Sequence, residues 1–175
     1  MKRTASLTAL LLVALAGADL AAQEAAPVDD RFATPDGLIT ALYDMVSFEA
    51  GTMPDWNEVR STFLPEAIVV LFTSRTNARV MSLDGFILDW YNFIYGTNVR
   101  ETGFTETILK MDTLIFKDIA QVLVLYESAV PGSPRPPQQG VDFFSLVKRD
   151  GRWFIASVTN DLPDPNNPPP EVLQD

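Results

Sequence analysis

The sequence predicts an α+β domain in which three N-terminal helices pack on a curved antiparallel sheet. Two observations carry that prediction. Between Phe104 and Asn160, four runs alternate in hydrophobicity and are rich in β-branched and aromatic residues, while the helical period is missing. Between Thr34 and Tyr95, apolar residues recur instead at helical spacing, broken once by the short apolar run Ala67–Thr73. An apolar fraction of 47% and an aromatic fraction of 10% supply a core for one such domain.

In chain order, residues 1–22 read as a secretory signal peptide. Lys2 and Arg3 form a positive start, Leu7 to Ala16 is an apolar run too short to span a bilayer, and Ala18 or Ala22 is the cleavage point. The expected location is therefore outside the cytoplasm, periplasmic or secreted. Residues 23–33 are a flexible lead-in, 34–161 the domain, and 162–175 a Pro-rich tail, extended or disordered.

The first helix starts at Thr34-Pro35-Asp36, a cap followed by Pro at the first helical position and an acid near the positive end of the dipole. Leu38, Ile39, Leu42, Tyr43 and Val46 share one face, and Gly51 is the expected stop. Asp55 and Glu58 are spaced as a capping box for a second helix, which carries Trp56, Val59 and Phe63 and ends at Pro65. Ala67–Thr73 is a buried strand, and 74–79 a polar turn. Ser82 caps a third helix, whose wide apolar face includes Phe86, Trp90 and Tyr91 while Asp84, Asp89 and Asn92 point elsewhere. A loop from Gly96 to Gly103 leads into the sheet, where Lys117-Asp118 and Asp150-Gly151 make tight turns and Pro131–Gly140 protrudes.

Composition excludes several chemistries. The formal net charge of −10 opposes nucleic acid and anionic membrane surfaces as partners. With no histidine and no cysteine, Ser-His-Asp and Cys-His nucleophiles are impossible, as are zinc, haem and iron–sulfur sites built on those ligands. No cofactor and no metal is expected; Asp161, Asp164 and Asn166 offer oxygen ligands, but interleaved prolines and missing glycine spoil a Ca²⁺ loop.

The order of elements resembles the NTF2-like superfamily, which includes ketosteroid isomerase and SnoaL-type cyclases. The resemblance rests on LITALYDMVS, DWNEVRSTFLPEA and SLDGFILDWY in the three helices and on VDFFSLVKRDGRWFIASVTND in the last hairpin, and it spans residues 34–161. It implies a cone with an internal pocket and pairing of two copies through the outer sheet face. The nearest likeness is to exported members without a defined reaction. The superfamily's isomerases place an Asp base on the strand after the second helix, whereas Ala67–Thr73 carries no acid. Their oxyanion-donating Tyr on the first helix corresponds to Tyr43. The His–Asp pair of the cyclases has no counterpart.

Three functional readings follow. First comes a pocket that binds a small apolar molecule without catalysis, lined by Tyr43, Trp90, Tyr91, Tyr126, Glu127 and Asp142. Second is a cofactor-free isomerase, dehydratase or cyclase using Tyr43 with Glu127 or Asp142, since a carboxylate in an apolar pocket has its pKa raised. Asp112 sits in similar company. The bland reading makes Glu127 a strand-end carboxylate paired with Arg100 or Arg152. Third is a dimerisation or interaction module whose cavity its own side chains fill. Both faces of Ile119–Val130 are apolar, which supports a homodimer through the outer one.

Overall fold

The computed structural model describes residues 29–74 and 77–174. The expected signal peptide and most of the expected lead-in lie outside the described residues. No helix among those described is long and apolar enough to cross a membrane.

Helix α1 (Pro35–Val46) starts where the sequence places it, with the Thr34 hydroxyl accepting from the Gly37 N–H at 3.1 Å. It ends at Ser47, short of Gly51, because Phe48 leaves to pair with Phe104 in an isolated bridge. In α2 (Trp56–Ser61), Asp55 accepts from the N–H groups of Asn57 and Glu58, but Glu58 turns to Arg31 at 2.8 Å, so only half of the capping box forms. That helix stops at Thr62, not Pro65. Pro65 falls inside strand β1 (Phe63–Ser74), in the stretch where pairing to the neighbouring strand is interrupted and its missing N–H costs nothing.

The expected turn after β1 is largely a strand, β2 (Asn77–Ser82), which leads directly into α3 (Leu83–Gly96). The expected loop before the meander contains a fourth short helix, α4 (Val99–Thr102). Then come β3 (Thr105–Phe116), β4 (Ile119–Ala129), β5 (Gln138–Arg149) and β6 (Arg152–Asp161). Lys117, Asp150 and Gly151 take positive φ, as tight hairpin turns require.

One sheet holds all six strands in the order β2-β1-β6-β5-β4-β3. It is mixed rather than wholly antiparallel: β1 runs parallel to β6, because two helices and the whole meander separate them in sequence. Pairing irregularities in β1, β3 and β6 bend the sheet around the helices. Its inner face buries Val122, Val124, Phe144, Leu146 and Ile155 against Leu38, Ile39 and Val59 of the helices.

The tail is ordered onto the domain. It ends in a 3-10 turn, Glu171–Leu173, whose Leu173 is 2% exposed and packs by β3 and β4. The Lys110 ammonium donates to the Gln174 carbonyl, which ties the chain end to the outer face. Asp164 accepts from the Asn166 N–H at 2.8 Å and from the Asn167 side chain at 3.1 Å, so a local turn uses its oxygens.

Candidate functional site

Helices and sheet do not close completely on one another. They leave an open cavity of about 290 Å³, at the small end of the usual ligand range of roughly 300–1,000 Å³. Most of its wall is aromatic or aliphatic. Phe86, Trp90 and Phe93 come from α3, Leu42, Tyr43 and Val46 from α1, and Phe63 and Leu71 from β1. The α3 rings interlock, with Trp90 lying 6.4 Å from Phe86 and 5.7 Å from Phe93, centroid to centroid.

One end is polar, and strand register builds it. Asp142 on β5 stands directly opposite Asn160 on β6, and Tyr126 on β4 directly opposite Gly140. A Cβ on Gly140 would meet the Tyr126 ring at 2.4 Å, so glycine lets the ring lie flat across the neighbouring strand. The Asn160 amide then donates to Asp142 Oδ1 at 2.8 Å and to the Tyr126 hydroxyl at 2.9 Å. From α1, Tyr43 donates to Asp142 Oδ2 at 2.5 Å, with its ring 5.6 Å from that of Tyr126. Both Asp142 oxygens are thus occupied, while the Tyr126 hydroxyl accepts and keeps its own proton for the cavity.

Glu106, near the start of β3, completes this end. Its carboxyl has no hydrogen-bond partner among the described residues, although its backbone is clamped by the Ser47 hydroxyl. Removal from water, then the charge of Asp142, pushes its pKa up to about 8. Asp142 is pushed up to about 6 by burial, against the opposing pull of its Tyr43 and Asn160 hydrogen bonds. Burial, with the nearby Asp142 charge, raises both tyrosine hydroxyls as well, so they remain protonated donors.

Of the residues selected from sequence, Tyr43, Trp90, Tyr126 and Asp142 line the cavity. Tyr91 does not; it packs on Trp56 at 5.5 Å and stacks on Tyr95. Glu127 does not either. It follows Tyr126 on a strand, so the two-residue period turns it to the outer face. Its suggested partners are engaged elsewhere: Arg152 donates to the Ser61 carbonyl at 2.6 Å, and Arg100 lies over the Tyr95 ring. Asp112 is exposed on the outer face as well.

Glu106, Asn160 and Asp89 were missed. Asp89 does not simply point away from the apolar face of α3: it lines the cavity and accepts from Arg79 at 2.6 Å. For Asn160, in step with Val158, the alternation of β6 offered a usable signal.

No family model matches this chain, and no curated protein does. Solved structures do match. A protein from Novosphingobium aromaticivorans, provisionally identified as a scytalone dehydratase, aligns at TM-score 0.56 with 14% identity over 74% of this chain and 81% of its own. From the same organism, a provisionally identified aromatic ring hydroxylase aligns at 0.56 with 19% identity over 80% and 93%. A third, an NTF2-like protein with a cystatin-like fold, also aligns at 0.56, with 10% identity over 73% and 79%. At these identities the likeness is one of fold: the chain has the NTF2-like, cystatin-like fold.

Proposed function

We propose that this chain is a cofactor-free acid–base enzyme that moves a proton on a small, largely apolar substrate, as an isomerase or dehydratase does. The observation that carries the proposal is the Glu106 carboxyl, unpartnered beside Asp142 in an apolar cavity. A carboxyl that only stabilised the fold would be hydrogen-bonded or paired, whereas the half-buried one of Glu106 lines the cavity with no hydrogen-bond partner among the described residues. Its pKa near 8 keeps both of its protonation states accessible around neutral pH, which suits a group that takes and returns protons. Asp142, fixed by Tyr43 and Asn160, stays mostly ionised there and orients the Tyr43 hydroxyl.

With a carbonyl substrate the roles divide simply. The Tyr126 proton faces the carbonyl oxygen, where charge grows as an enolate forms. Ionised Glu106 removes the α-proton, and its acid form returns that proton to carbon, or delivers it to a departing hydroxyl. Asp89 and Arg79 stand where the wall meets solvent.

Deuterium exchange tests this reading. Cyclohexenone and 2-tetralone are incubated with protein in D₂O, and loss of the α-proton signal is followed by NMR. Acceleration over buffer of about 10²–10⁴-fold is expected, abolished in Glu106→Gln. Rates no faster than buffer for either protein remove catalysis and leave binding without turnover, and equal accelerated rates remove the role of Glu106.

The signal-like N-terminus supports action after export, and apolar Leu114, Phe116, Ile119 and Phe143 on the outer sheet face support pairing of two copies there. Sedimentation velocity at micromolar concentration reads the pairing, and a monomer there removes it.

A further inference from the structure

The chemical class of the ligand can be narrowed, on the premise that the cavity described above is the working site. Among the described residues three carboxylates line it, those of Asp89, Glu106 and Asp142, and no Lys or Arg does. Asp89 has Arg79, and Asp142 has two neutral donors. The Glu106 carboxyl has no hydrogen-bond partner among the described residues, and its charge is felt at the hydroxyls of Tyr43 and Tyr126. Among the described residues the polar end therefore holds no cation, and its one uncommitted donor beside these acids is the Tyr126 hydroxyl. An anionic ligand meets repulsion in a low-dielectric cavity, and an alcohol or ketone brings at most one donor.

We propose that the cavity takes an apolar amine in its protonated form. The ammonium sits at the end formed by Glu106 and Asp142, and the apolar body lies against Phe86, Trp90 and Phe93. An ammonium supplies three donors and a positive charge, so it satisfies Glu106 and offsets the neighbouring carboxylate in one step. Aromatic rings around the cavity add cation–π attraction, which strengthens where water is excluded. The net charge of −10 draws cations toward the protein from solution. The volume of about 290 Å³ limits the ligand to a small ring system or short chain.

Three probes share one carbon skeleton and differ in the charge and donors of the head group: 2-phenylethylammonium, 2-phenylethanol and phenylacetate. Calorimetric or NMR titration of the full chain is expected to rank them in that order. The ammonium should lead the alcohol by about 10-fold, the size of one desolvated cation–π or ionic contact. Glu106→Gln should erase that lead, and a cooperative thermal melt of the variant reports that it is folded. Glu127→Gln, outside the cavity, should preserve it. Equal binding of ammonium and alcohol, or an ammonium lead that survives Glu106→Gln, overturns the proposal. Ketone exchange measured on the same samples separates the two readings. Exchange without an ammonium preference overturns this proposal alone, and an ammonium preference without exchange supports it while acid–base catalysis falls.

Discussion

The two faces of the sheet come from the same strands and have opposite fates. On the inner face of β4 and β5, Val122, Val124 and Phe144 are almost fully buried, and Tyr126 and Asp142 join a hydrogen-bonded network. One residue away on the outer face, Phe143 is 45% exposed and Ile119 56%, with the returning tail covering a neighbouring part. Side-chain type does not separate the faces, since both carry aromatics, aliphatics and acids. Parity along the strand does. A residue's position relative to the pleat decides whether it becomes core, chemistry or surface.

The largest test of that contrast uses two adjacent phenylalanines. Phe144→Ala should cost about 3–5 kcal/mol, because the inner face would be left with a cavity between sheet and α1. Phe143→Ala should cost under about 1 kcal/mol. Urea denaturation of both variants gives the comparison, and similar midpoints would mean that the parity is misassigned.

Protonation sharpens the contrast next. Folding holds the Glu106 carboxyl protonated up to about 8, against an ordinary 4.5. Between those values the native protein binds a proton that the unfolded chain releases, so stability falls as pH rises through the interval. The effect is on the order of a few kcal/mol, and below the lower value it vanishes because both states are protonated. Asp142, raised from 3.8 to about 6, adds in the same direction over its own narrower range. Glu106→Gln should flatten most of the slope and melt higher than the parent at pH 8. Thermal melts across pH 4 to 9 read this directly; an unchanged slope would show that Glu106 is solvated.

Parity also explains what the sequence could and could not reveal. The first three helices, their N-caps and the four-strand meander were legible because each satisfies its own periodicity locally. Strand β2 was not, since NARVMS is half polar and almost wholly exposed, and its pairing with β1 is set by tertiary contacts. The parallel β1–β6 neighbourhood depends on contacts distant in sequence, which no local pattern encodes. Asp142 was legible because it is an acid set among the apolar residues of the strand run GVDFFSLVK.

Glu106 was hidden by a single irregularity. Counted by twos from Phe116, the residues Leu114, Asp112, Lys110, Ile108 and Glu106 share a face that mixes charge and hydrocarbon. The register shift between Ile108 and Lys110 divides that series. Glu106 and Ile108 then face inward with Met111 and Thr113, while Lys110 and Asp112 face outward. A bulge cannot be counted from alternation alone, because the extra residue is visible only against its partner strand.

The smallest expected effect is the most discriminating. Glu127 and Tyr126 are consecutive, and the register sets Glu127 opposite Thr107 and Gln139 on the outer face. Glu127→Gln should leave ketone exchange unchanged and stability within about 0.5 kcal/mol, since nothing in the cavity depends on its charge. Paired with Glu106→Gln in one exchange assay, it asks whether any carboxylate on this sheet will serve or only one turned inward. Loss of exchange in both would mean that the protein needs overall negative charge rather than a placed acid. Loss in Glu106→Gln alone ties the chemistry to the inner face, because the two substitutions replace the same carboxyl by an amide on one sheet and differ only in the face on which they do so.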